Sequence, residues 1–129
     1  METTTLPENM RKFNTVTIQA FDLLYNAFPK PIDIDTQKLG AGSPQDTIAE
    51  CTLQWLATEG FIRYRPDPSR PANQFCEVQL TMKSLGLLET VPASTDFGED
   101  PDTMIIRIRK ALASGDADGM KRFLSLFFE

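Results

Sequence analysis

The stretch from Ser43 to Leu88 constrains the fold of this chain more than any other. Ser43 is a favourable N-cap, Pro44 suits a first helical position, and Asp46 stands where a capping box needs an acceptor. Gly60 is the residue type that ends a helix in the left-handed conformation. A helix is therefore predicted over 43–59. Ala49, Leu53 and Leu56 form its apolar stripe, which Ile48, Thr52 and Trp55 widen. Thr47, Glu50, Gln54 and Thr58 fall on the opposite face. Residues 61–65 read as a strand and residues 74–80 as its return. The loop between them is stiffened by Pro66, Pro68 and Pro71. In the return strand, alternation puts Cys76, Val78 and Leu80 on one side and Phe75, Glu77 and Gln79 on the other. Thr81 then caps a helix that holds Leu85 and Leu88 and ends near Pro92.

The flanks are simpler. Residues 1–12 are polar and read as a flexible arm. A first helix is expected from about Thr15 to Phe28, capped by Asn14 or Thr15 and facing inward through Ile18, Phe21, Leu24 and Phe28. The run from Pro31 to Ile34 alternates apolar and polar, as a very short strand does, and Asp35 caps a stubby helix that reaches Leu39. Residues 93–102 hold four acids and little to bury, which reads as an acidic linker. Residues 103–129 read as a helical hairpin broken at Gly115. Its apolar residues, Ile105, Ile108, Leu112, Phe123, Leu124 and Phe127 foremost, exceed what two short helices can hide from each other. They either fold back onto the body or form a homodimer interface. The expectation is a dimerisation element, because a two-fold contact buries such a patch with few residues.

The segment TLQWLATEGFIRY (52–64) resembles the end of the recognition helix and the first wing strand of winged-helix proteins, a pattern carried here by Leu53, Leu56, Gly60, Phe61 and Ile62. The segment VQLTMKSLGLLE (78–89) is similar to the return strand and following helix of that superfamily, through Leu80, Thr81 and Leu88; the glycine usual in that pattern is Ser84 here. The resemblance covers residues 13–92. It implies an α+β, mainly α fold: a winged helix-turn-helix with a three-helix core, a small β-ribbon wing and the C-terminal hairpin appended. In members that bind double-stranded DNA, the third helix enters the major groove and the wing touches the backbone or minor groove. By position, the implied DNA-contacting residues are Thr47, Glu50, Gln54 and Thr58 on helix 43–59, with Arg63, Arg65 and Arg70 on the wing, 63–73.

Charge and missing residue types narrow the functions. Histidine is absent, which removes His-dependent triads and His metal ligands. No Gly-rich phosphate loop, metal-ligand spacing or poised carboxylate pair occurs, so no enzyme, cofactor or metal is expected. Cys51 and Cys76 read as two small buried residues in a reducing cytosol. The opening residues lack the apolar core of a signal peptide, and no apolar run approaches the roughly 20 residues that span a bilayer. A cytoplasmic protein without membrane contact is expected. The net charge is −5, and no Lys or Arg occurs between Lys38 and Arg63. A reading helix without cations suits a polyanion poorly, because phosphate neutralisation supplies most non-specific affinity. Two functions follow. The leading expectation is a DNA-binding transcriptional regulator that uses helix 43–59 and the arginine wing. The alternative is a winged-helix interaction or scaffolding module that docks a protein partner and does not bind DNA.

Overall fold

The computed structural model describes residues 7–39, 47–89, 103–115, 121, 124, 125 and 128. Helix α1 spans Glu8–Ala27 and begins seven residues earlier than its apolar pattern suggests. Residues 8–12, expected in a flexible arm, are its first turn and more, and Lys12 reaches back to Glu8 at 3.5 Å. The start escaped notice because Pro7 begins the helix with no side-chain cap. Asn14, expected as a cap, is buried inside the helix beside Thr17. These two polar residues on the inward face interrupt the stripe of Val16, Ile18, Phe21 and Leu24.

Strand β1 (Ile32–Asp35) follows, and Asp35 caps a 3-10 turn at Thr36–Lys38 where a stubby helix was expected. Helix α2 spans Ile48–Thr58. The cap signals at Ser43, Pro44 and Asp46 lie outside the described residues. Strands β2 (Ile62–Arg65) and β3 (Gln74–Leu80) complete a three-stranded antiparallel sheet in the order β1-β3-β2. Helix α3 (Met82–Leu88) is capped by Thr81 as expected. Helix α4 (Met104–Ser114) ends on Gly115 at φ 70°. The expected linker at 93–102 lies outside the described residues, as do Phe123 and Phe127.

One hydrophobic core runs through all of these elements. Ile18, Phe21 and Leu24 of α1 meet Leu53 and Leu56 of α2, Ile34, Ile62, Val78 and Leu80 of the sheet, and Ile105 and Ile108 of α4. Leu124 is buried in the same cluster. Among the described residues, no helix is long and apolar enough to cross a membrane.

Candidate functional site

Helix α2 is held most tightly at its C-terminal end. Gly60 takes φ 84°, which frees the Phe61 N–H to donate to the Leu56 carbonyl at 2.8 Å and the Gly60 N–H to the Ala57 carbonyl at 3.1 Å. This is the paired closure that a left-handed residue permits after a helix. The next three carbonyls then accept from the start of α3. Lys83 Nζ donates to the Glu59 carbonyl at 3.1 Å, Thr81 Oγ1 to the Gly60 carbonyl at 2.7 Å, and Ser84 Oγ to the Phe61 carbonyl at 2.6 Å. Ser84 also closes a capping box with Thr81. Ser84 thus supplies a buried hydroxyl that ties two helix ends together.

The face of α2 away from the core carries Thr47, Gln54 and Thr58 in solvent, with Glu50 half-buried. The Thr58 hydroxyl donates to the Gln54 carbonyl at 3.0 Å, so its proton is used within the helix. Gln54 lines a shallow depression of about 310 Å³ together with Tyr64, Arg65, Arg70 and the three loop prolines. The structure thus brings Gln54, Arg65 and Arg70 to one place; Arg63, Thr47, Glu50 and Thr58 lie outside that depression.

The arginines sit on the sheet in a way that depends on one bulge. Three residues of β1 (Ile32 to Ile34) lie opposite four of β3 (Val78 to Phe75), and Arg63 to Arg65 lies opposite Gln79 to Cys76 likewise. The extra residue is accommodated around Glu77, which takes φ 52°. Its N–H donates to Asp33 Oδ1 at 3.0 Å. The bulge resets the alternation. Phe75, expected on the outer side, is buried against Tyr64 with ring centroids 4.7 Å apart. Arg63 and Arg65 stand opposite Gln79 and Cys76 of β3, and both arginines are exposed.

Carboxylates answer two of the three arginines. Arg65 Nε lies 2.7 Å from Glu77 Oε2, and this partner raises the guanidinium pKa further. Arg70 reaches Asp33 at 3.5 Å and Asp67 at 3.7 Å. Arg63 has no ion pair among the described residues. Asp67 also accepts from the Ser69 hydroxyl at 2.6 Å and the Ser69 N–H at 3.0 Å; these bonds hold its carboxyl below the usual range. Asp35 is lowered likewise, first by the Gln37 N–H and then by the Asn73 amide, which fastens the loop to the end of β1.

A second grouping joins α2 to the C-terminal segment. Trp55 is 40% exposed, where the sequence placed it at the edge of the core. Its ring meets Phe13 edge-on at 5.4 Å and Phe128 at 5.3 Å, and Phe128 meets Phe61 at 4.9 Å. The residues expected to make a dimer interface are largely spent inside this chain. Ile105, Ile108 and Leu124 are 3%, 2% and 4% exposed, and Leu112 is half-buried against the same core. The Arg109 guanidinium grips Asp22 of α1 at 2.5 Å and also donates to Asn26. Cys76 is buried as expected, whereas Cys51 is exposed on α2; both thiols are free.

Sequence reasoning missed Asp33 and Glu77 as partners of Arg70 and Arg65. Period-2 alternation placed both on an outer side, but only the register of β3 shows which cations they meet. It also missed the meeting of Phe13, Trp55 and Phe128, which joins residues more than 70 positions apart. No known family model, curated protein or solved structure matches the chain.

Proposed function

We propose that this chain is a winged-helix interaction module that docks a protein partner through α2 and the loop between β2 and β3, without catalysing a reaction. The winged-helix reading is supported by the order of helix, strand, turn, helix and two-stranded ribbon, and by a sheet in which the first strand pairs with the last. The observation that carries the choice of partner is the neutralisation of the wing. Arg65 and Arg70 face Glu77, Asp33 and Asp67, so the surface offers DNA little uncompensated positive charge. Helix α2 adds no cation, and Glu50 stands on its outer face. Counterion release, the main source of non-specific DNA affinity, has little to draw on here.

A DNA-binding regulatory role is the second reading, and one observation favours it. Gln54, Arg65 and Arg70 line the same depression, as a helix and wing that share a duplex require. Fluorescence anisotropy with a random-sequence duplex, titrated across salt, separates the two. The interaction reading expects no saturable binding even at low salt. Micromolar binding that falls steeply with salt, and vanishes when Arg63, Arg65 and Arg70 are all changed to Ala, would establish the DNA role instead.

A further inference from the structure

We infer that the depression between α2 and the proline loop docks a neutral, proline-rich segment of a partner protein in the polyproline II conformation. This rests on the reading of α2 and that loop as a docking surface, and it names the chemistry that the surface selects.

Charge narrows the ligand first. Arg65, Arg70 and Asp67 line the depression together. Glu77 and Asp33 stand behind the two arginines at 2.7 and 3.5 Å. Two cations thus answer three acids, so an acidic or phosphorylated chain gains no net attraction here. A basic chain meets two guanidinium groups in the wall itself. An uncharged chain suits this balance best.

Hydrogen bonding then sets the polarity of that chain. A guanidinium has more N–H donors than one carboxylate oxygen uses. Arg65 commits Nε to Glu77 and Arg70 commits Nη1 to Asp33, which leaves their other N–H groups to a ligand. The side-chain amides of Gln54 and Gln74 line the same depression, are exposed, and have no hydrogen-bond partner among the described residues. The carboxylate in the lining is already spent, since Asp67 Oδ1 takes both bonds from Ser69. Such a site calls for a ligand rich in acceptors. A polyproline II chain makes no internal hydrogen bonds, and each proline in it offers a carbonyl but no N–H.

The walls are apolar and already in place. Pro66, Pro68 and Pro71 line them, and the Tyr64 ring is held edge-on by Phe75, with centroids 4.7 Å apart and planes at 69°. An aromatic ring beside directed donors is how polyproline II segments are commonly gripped. The loop itself is fastened at three points. The Arg70 N–H donates to the Asp67 carbonyl at 3.1 Å, the Gln74 N–H to the Pro71 carbonyl at 3.0 Å, and the Asn73 amide to Asp35 at 2.9 Å. A polyproline II chain is likewise ordered before it binds, so neither side loses much conformational freedom on docking.

The test follows the N–H signals of the full chain by NMR while end-blocked decaproline is added. Saturable shifts are expected at the side-chain amides of Gln54 and Gln74 and at the Arg65 Nε–H, with an affinity that does not change across a salt series. Both glutamines are exposed, so the Gln54→Ala/Gln74→Ala double variant is expected to keep its far-UV circular dichroism. It is expected to bind decaproline about tenfold more weakly, for the loss of two hydrogen bonds. No saturable shift at these three groups, or equal binding by wild type and double variant, overturns the proposal. End-blocked deca-glutamate, titrated alongside, is expected to leave the three signals unmoved. Shifts there that saturate with deca-glutamate and fade with salt would assign the site to an acidic partner. That result overturns the inference and leaves α2 and the loop a docking surface, a reading that the duplex titration decides separately.

Discussion

Several single residues in this chain hold bonds that their neighbours cannot replace, and one holds a position with no bond at all. The Thr17 hydroxyl is fully buried in α1 and has no hydrogen-bond partner among the described residues. An unsatisfied buried hydroxyl costs stability, so Thr17→Val, which keeps the shape, is expected to stabilise the fold by about 1 kcal/mol. The urea midpoint measures this. Ser84 is the opposite case. Its hydroxyl serves both the capping box and the Phe61 carbonyl, and Ser84→Ala is expected to cost about 1–2 kcal/mol in the same titration. Asp35 and Asp67 set the response to acid. Both carboxyls titrate lower in the fold than in the unfolded chain, so the unfolded state binds protons first as the pH falls. Their contribution is full above the ordinary carboxylate pKa of about 4 and is lost below it, as the pH passes through the lowered folded values. Asp35→Asn should therefore flatten the decline of thermal midpoint between neutral pH and the acid limb.

Elements show where sequence patterns suffice and where they stop. The end of α2 is legible because Gly60 is both the pattern's stop and the residue at φ 84°. A Cβ there would meet nothing within 4 Å, so Gly60→Ala is a purely conformational change, expected to cost about 1–2 kcal/mol in chemical denaturation. The strands at 62–65 and 74–80 and the cap at Thr81 are equally plain, because each relies on neighbours in the chain. The bulge at Glu77 is not. Its register depends on Asp33 holding a backbone N–H across the sheet, and nothing within residues 74–80 announces that. From the bulge onward, alternation assigned Phe75 to the wrong side. The same long-range bond decides which carboxylates face the arginines, so the charge of the candidate surface could not be read locally. The start of α1 stayed hidden for a different reason: a helix that begins on Pro7 without a side-chain cap, and buries Asn14 and Thr17, breaks both rules by which starts are found.

At the scale of the molecule, α4 and Leu124 belong to the same core as the sheet and the first two helices. Ile108→Ala should then behave as a core truncation, lowering stability by about 2–5 kcal/mol. Sedimentation equilibrium is expected to give wild type and variant the same mass, since Ile108 is buried within one chain. A drop in mass with little loss of stability would return Ile105 and Ile108 to a role between subunits. The bonds between α2 and α3 have a mechanical meaning as well. Three consecutive carbonyls, of Glu59, Gly60 and Phe61, are held by Lys83, Thr81 and Ser84. Any load placed on α2 by a bound partner therefore passes into α3 without slack, and the two helices turn as one lever about the Gly60 corner.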